Sequence, residues 1–397
     1  MSSLIFSLFY FLSVAFWPFG GGREETESVR QIKKTALEIP ADQKAFETLR
    51  ISLLEHVPHV KLEISGPYRV KDSKGRPLFR GMRIAASVKP ASGGIQLGPQ
   101  IFHDTPITVE SEASGIKIDG KLYRQAVVLW LENNQTLSVI NAISVEEYLK
   151  GVLPHEVSPS WPIDALKAQA VASRTYALFK ALENGSERSH LSKGVMSQVY
   201  GGSAAEHPAT TRAIEETRGE ILTYRGKIFP AYFHSTCGGA TTRADFLWDV
   251  EPHPSLEGVQ CNFCWASKHT RWDARFGLKE IEKRLRLRGF SILGVTEIRT
   301  AELDKTGRAR FIDVMHAGGK TRFHSNDFRL WVDPLKLKST WIQRIQITGG
   351  AAIIEGRGWG HGVGLCQYGT KQLGELGYSY RQILDYYYPE SEIRKIL

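Results

Sequence analysis

The chain has 397 residues, of which 42% are hydrophobic and 23% charged, and a formal charge of +9. This is the balance of an ordinary globular protein, and it excludes a low-complexity or intrinsically disordered chain. The excess of 51 basic over 42 acidic residues favours a polyanionic partner such as anionic lipid or cell-wall polymer; no nucleic-acid motif and no dense basic run interleaved with aromatics is present, which sets a nucleic-acid partner aside. In chain order, residues 4–17 (LIFSLFYFLSVAFW) form an uncharged apolar stretch. It is too short for a comfortable membrane span but suits a signal-peptide core, although no Lys or Arg precedes it and no A-x-A site follows. Residues 1–22 therefore read as a signal peptide or retained anchor, and the protein is expected in the periplasm or cell envelope. Residues 23–59 read as a polar linker with a helix around Ala41 to His56. From Val60 to Ile143, short apolar runs broken by Gly, Pro and Asn predict antiparallel β-structure. Asn133-Asn134 lies between two such runs as a hairpin turn.

Ser144 followed by Glu147 reads as a capping box for a helix carrying Val145, Tyr148, Leu149 and Val152 on one face. Pro154 is expected to stop this helix and leave His155, Glu156 and Val157 in a break. Pro162 suits the first turn of a second helix. Its alanine-rich body from Ala165 has strong helix propensity and a thin face fit for a packed core. Residues 183–204 form a loop, and His207 to Thr217 a helix. The stretch 234–276 is irregular and rich in Gly, Cys, His and Trp, which calls for a function or a crosslink. Strands follow at 291–300 and 309–315, with Lys305 to Arg308 as their turn. A second pair, 341–347 and 351–354, turns at Gly349-Gly350. Helices at 370–376 and 380–388 close the chain. The fold class is α+β: a β-rich N-terminal part, central helices, and a mixed C-terminal part lining a groove.

A loop glutamate is ordinarily solvated surface. Glu156 differs because Pro154, Pro159 and Trp161 limit its segment and give it apolar cover, as a general acid requires. Arg174 shares a helical face with Ala170, Val171, Ala177 and Leu178. It is either a surface arginine with a snorkelling stem or a charge on an apolar stripe that needs a partner; in the second case it could orient Glu156 or bind substrate. The four cysteines are Cys237, Cys261, Cys264 and Cys366. Cys261-x-x-Cys264 with His234-x-x-Cys237 makes a His/Cys₃ set suited to a structural tetrahedral zinc. Disulfides, natural in an exported protein, and unlinked thiols stay open as alternatives. The glycines Gly356, Gly358, Gly360 and Gly362 lack the βαβ context of a dinucleotide site. They let the backbone pass close to a ligand or another segment, which marks His361 and Tyr368 as groove candidates.

Several runs carry a resemblance. The first holds Glu147-Tyr148-Leu149, Gly151-Val152, Glu156, Trp161-Pro162, Ala165 through Ala172, and Arg174-Thr175-Tyr176-Ala177. The second holds Gly360 through Gly364, Gln367-Tyr368-Gly369, Ile383-Leu384 and Tyr387-Tyr388-Pro389. A weaker third is His234-Ser235-Thr236 with Gly238-Gly239. Over residues 60–397, with a core at 137–390, the chain resembles the stage II sporulation protein D (SpoIID/LytB) family. The resemblance implies work on peptidoglycan glycan strands: some members look like lytic transglycosylases, others are called amidase enhancers. It implies Glu156 as the catalytic acid and favours a site role for Arg174. His361, Tyr368, Gln198 and Tyr200 become substrate-binding candidates. It allows zinc at His234, Cys237, Cys261 and Cys264 without requiring it, and Cys366 stands where the family usually has Ser. No second carboxylate matches Glu156 in strength. A hydrolase needs two, whereas a lytic transglycosylase works with one, so the lone Glu suits the latter. The competing reading is a non-catalytic enhancer that binds glycan or a cell-wall amidase. A zinc-dependent amidase lacks an open three-ligand set.

Overall fold

The computed structural model describes residues 32–396 except 43–45, 47, 113–114, 186–187 and 193–199. Residues 1–31, which include the apolar segment 4–17, lie outside the described residues. The β-rich part is built on the hairpin around Asn133-Asn134. Both asparagines adopt left-handed backbone angles, φ 49 and 56, which Asn tolerates better than most residues. The turn sets the register of Ala126–Glu132 against Thr136–Ile143, with Glu132 opposite Thr136. The other edge of Thr136–Ile143 pairs with Leu49–Val57. This corrects the helix expected within 41–56 and the linker drawn to residue 59. Leu49, Ile51 and Leu53 point inward at no more than 3% exposure, a period of two set by the neighbouring strand rather than by local propensity. Leu37 bridges to Ile228 still further upstream.

The seven-stranded sheet runs in the order Leu191–Ser192, Leu49–Val57, Thr136–Ile143, Ala126–Glu132, Ile107–Ser111, Tyr68–Lys71, Pro77–Gly81. A six-stranded sheet, centred on Val60–Ile64 and Ile84–Ala91, contributes to the same apolar core. Against that core packs α1 (Val145–Glu156). The capping box is not formed. The Ser144 amide instead donates to Gln125 Oε1 at 2.6 Å, and no side chain caps the helix. Pro154 also fails to end the helix: it lies inside the last turn, and the Val157 amide still reaches the Leu153 carbonyl at 3.1 Å.

Helix α2 (Ile163–Glu183) has two buried faces. Leu166, Ala170, Ala177 and Leu178 join the first core. Ala168, Val171 and Ala172 join a second core with the four cysteines and the C-terminal helices. Burial on both faces is what the alanines permit, since a larger side chain would hold the neighbours away. The short helices α3 (Pro208–Glu216) and α4 (Ala244–Leu247) follow. Residues 272–356 then build a third core of their own. Trp272–Gly277 enters it and Ala351–Gly356 leaves it, paired side by side with Trp272 opposite Gly356. Between them lie α5 (Leu278–Arg286), α6 (Ser325–Val332) and the three-stranded sheet of Glu297–Leu303, Ala309–His316 and Gly319–His324, while Ile342–Thr348 joins the enclosing pair through the expected hairpin at Gly349-Gly350. Helices α7 (Gln367–Glu375) and α8 (Tyr380–Tyr387) complete the α+β fold. Among the described residues, no helix is long and apolar enough to cross a membrane.

Candidate functional site

Glu156 is the last residue of α1 and is half-buried. Because the helix runs through Pro154, the carboxylate is carried by a regular element and not by a loop. The side-chain amide of Gln367, first residue of α7, donates to Glu156 Oε2 at 3.4 Å. Two tyrosines sense the carboxylate. Tyr148, on the same helix, is pushed well above the usual phenol range, first by burial and then by the Glu156 charge. Tyr176, on α2, is pushed up to about 12 by burial and then by the charges of Glu183 and Glu156. Both phenols therefore stay protonated at neutral pH. The Tyr148 hydroxyl is buried and has no hydrogen-bond partner among the described residues. Trp161 and Tyr368, on the segments that flank Glu156 and Gln367, meet edge to face with centroids 5.6 Å apart. From Tyr176 the aromatic surface continues through Tyr232 to His361 and Trp248.

Arg174 is not directed at Glu156. It is fully buried, and its Nε and Nη2 donate to the two oxygens of Glu146 at 2.9 and 2.8 Å. Its other contacts are the carbonyls of Glu220 and Ile214. The apolar stripe required a partner, and the partner is Glu146 on α1, so Arg174 ties α1, α2 and α3 together. This corrects its placement as a catalytic residue. Tyr200 also belongs to the core. Its hydroxyl donates to Asn141 Oδ1 at 2.7 Å and its ring packs on Tyr123 and Tyr148. It supports the helix that carries Glu156 rather than lining an exposed surface. Gln198 lies outside the described residues.

The thiols gather at one buried point. The sulfurs of Cys237, Cys261, Cys264 and Cys366 all lie within 4.8 Å of one another, and none forms a disulfide. Cys366 takes the fourth place that the spacing had given to His234. The parallel pairing of Phe233–His234 with Leu365–Cys366 explains this. It sets Cys366 beside His234, and the Cys366 sulfur receives the Cys237 amide at 3.2 Å. The His234 Nδ1 meets the Val363 carbonyl at 3.1 Å, and burial pushes its pKa down to about 3. The thiols shift one another's protonation. Cys264 is drawn well down, chiefly by hydrogen bonding from Cys237, while burial first and neighbouring thiols second push Cys366 up.

His361 is half-buried among Tyr232, His234 and Trp248. Its Nδ1 accepts the Val363 amide at 3.0 Å, and burial holds it neutral. The glycines beside it serve chain packing: Gly360, at φ 110, passes so close to His234 that a Cβ there would lie 2.7 Å from the His234 Cβ.

Three participants escaped the sequence. Gln367 and Tyr176 were quoted only as parts of longer runs, and nothing local sets them beside Glu156; the α1–α2–α7 packing does. Arg308 stood in a turn, where it read as punctuation. It is fully buried, donates from Nη2 to the Cys237 and Ala240 carbonyls, and stacks on Trp341 at 5.1 Å. Burial lowers its pKa against the opposing charge of Cys237, Asp304, Cys366 and Cys264. A cation beside clustered thiols favours their ionised form.

Comparison with known proteins identifies the family. Residues 133–224 match SpoIID, described as stage II sporulation protein. The chain is 30% identical over 343 residues to an uncharacterized protein of Brachyspira hyodysenteriae, covering 86% of this chain and 91% of that one. It is 28% identical over 320 residues to stage II sporulation protein D of Bacillus amyloliquefaciens, covering 76% and 88%. It is also 28% identical over 289 residues to the amidase enhancer of Bacillus subtilis, but spans only 39% of that protein's length. The matched region 133–224 includes α1, Glu156 and α2, and the chain belongs to the stage II sporulation protein D family.

Proposed function

We propose that this protein is an exported lytic transglycosylase that cleaves peptidoglycan glycan strands, with Glu156 as general acid and then general base. The observation that supports this most is the setting of Glu156: a half-buried carboxylate at a helix end, held by the Gln367 amide, whose charge helps to raise the pKa of Tyr148 and Tyr176. A carboxyl held in fixed geometry can give a proton in one step, and the amide donor stabilises the carboxylate that must take one back in the next. Protonated Glu156 delivers its proton to the glycosidic oxygen as the bond to the anomeric carbon breaks. The resulting carboxylate then takes the proton of the muramic 6-hydroxyl as that oxygen bonds to the anomeric carbon. The products are a free 4-hydroxyl and a 1,6-anhydro end; Glu156 ends protonated, and no water is consumed. Nearby carboxylates have other duties. Asp164 accepts the Tyr380 amide at 2.9 Å and Glu147 pairs with Lys150 at 2.5 Å. Aromatic faces such as the Trp161–Tyr368 pair suit sugar rings.

We also infer a structural zinc on Cys237, Cys261, Cys264 and Cys366. A tetrahedral zinc with Zn–S of about 2.3 Å places its sulfurs roughly 3.8 Å apart, and the cluster fits within 4.8 Å with Cys237 and Cys264 at 3.4 Å. Four buried thiols leave no open position, so such an ion would brace the fold and take no part in the reaction.

Defined glycan strands incubated with purified protein and analysed by mass test the proposal. Products ending in 1,6-anhydro muramic acid are expected. Glu156→Gln keeps the shape but cannot donate a proton, so the rate should fall at least 10²–10⁴-fold with fold and glycan binding intact. Reducing ends would replace the transglycosylase mechanism by hydrolysis. A wild type that cleaves nothing yet accelerates an amidase would favour the enhancer reading, which the similarity to the amidase enhancer motivates.

A further inference from the structure

We propose that Gln367 is the positioning residue for Glu156, and that the four-thiol centre is what holds Gln367 in place. The inference rests on the reading of Glu156 as the acid. Gln367 directly follows a member of the thiol cluster, Cys366, which is also the N-cap of α7. One peptide bond therefore joins a sulfur of the buried cluster to the residue whose amide touches the carboxylate. The short segment around it has little freedom. Leu365 and Cys366 pair with Phe233 and His234. The amide of Tyr368 donates to the Ser235 carbonyl at 3.0 Å, and Cys366 receives the amide of Cys237.

The first turn of α7 also lies directly on the cluster. A Cβ on Gly369 would meet the Tyr387 hydroxyl and come within 3.0 Å of the Cys261 sulfur, and that hydroxyl is 3.2 Å from the same sulfur. Gln367 itself is 6% exposed, so its amide can turn only if the turn of α7 beneath it shifts. Four thiols drawn to one ion fix that turn. Without the ion nothing draws the four sulfurs to one point, and the turn then relaxes. A donor to a carboxylate is sensitive to such a shift, because hydrogen bonds weaken steeply with distance and angle.

The test uses full-length protein carrying ¹³C at glutamate carboxyl carbons, with the Glu156 signal identified by its loss in Glu156→Gln. Gln367→Met removes the amide at nearly constant volume. It should shift the Glu156 signal and lower kcat by about tenfold to a hundredfold, the scale of a misplaced catalytic group, with KM little changed. Gln367→Asn keeps an amide but draws it back by one methylene, and should behave alike; it serves if Met unsettles the buried position. Wild type stripped of metal by a chelator, still folded by circular dichroism, should show the same carboxyl shift, and zinc should reverse it. An unchanged Glu156 signal in both variants overturns the role of Gln367. A shift in the variants with none on stripping overturns the part given to the thiol centre. If wild type cleaves no glycan, the catalytic reading fails by itself, and the carboxyl signal still decides whether Gln367 and the centre position Glu156.

Discussion

At the scale of single residues, burial separates the two charges that the sequence had placed together. Glu156 keeps partial access to solvent, while Arg174 is sealed against Glu146. Removing one partner of a buried ion pair strands the other, at a cost of about 3–5 kcal/mol. Arg174→Met is therefore expected to lower the unfolding free energy by about that amount in a denaturant titration, while the folded fraction keeps its specific activity. A variant that unfolds like wild type but no longer cleaves would return Arg174 to the active site. The sequence made the need for a partner legible, since a charge stood on an apolar stripe. It could not show that the partner was Glu146, twenty-eight positions upstream, because only the α1–α2 crossing brings them together. His234 was misjudged for a related reason: spacing within a short window favoured it, while the fourth sulfur arrives from 102 residues beyond Cys264 by strand pairing.

At the scale of elements, turns were the most legible features, because their chemistry is local. Asn133-Asn134 and Gly349-Gly350 supply positive φ where each hairpin needs it. Helix ends were less legible. Proline in a last turn sacrifices one hydrogen bond but does not unwind a helix packed on a core, so α1 reaches Glu156. The irregular segment 234–276 meets the start of α7 through one backbone bond, from the Tyr368 amide to the Ser235 carbonyl, and through the cluster of its three thiols with that of Cys366. Protein purified without chelator should contain about one equivalent of zinc, as a closed tetrahedral site requires. Cys264→Ser should lose the ion and lower the melting temperature, since structural zinc contributes folding free energy. Zinc-free wild type with two thiols missing from the four would indicate a disulfide instead.

At the scale of the whole molecule, three cores share one chain, and buried neutral histidines lie in the surroundings of two of them. His190 is pushed down to about 4 by burial and then by Arg50, and His253 to about 4 by burial. Unfolded histidine titrates near 6.5. Below that pH the unfolded chain binds more protons than the folded one, so stability rises with pH across this window. The contribution is complete above about pH 6.5 and is lost as pH falls through 4, with a slope of up to about 1.4 kcal/mol per pH unit for each histidine. Urea midpoints measured at intervals from pH 7 to 4 should fall accordingly; a level series would contradict the burial of these rings. Periodicity announced many of the strands and helices, though neither Leu49–Val57 nor Trp272–Gly277, and it did not show which segments share a core, because that depends on contacts distant in sequence.

The third core has a further consequence, for how such a chain changes over generations. Its first and last strands are neighbours, Trp272 opposite Gly356, so the stretch between them leaves and returns at one place. A deletion or replacement there needs only two adjacent points to be rejoined, and the rest of the backbone need not move. Side chains that reach out of the stretch limit that freedom: Arg308 donates to the Cys237 and Ala240 carbonyls, Asp304 accepts from Thr242, and Arg310 faces Asp249. A lineage that dispensed with the stretch would have to find another cation for the thiols, or give up the thiols with it.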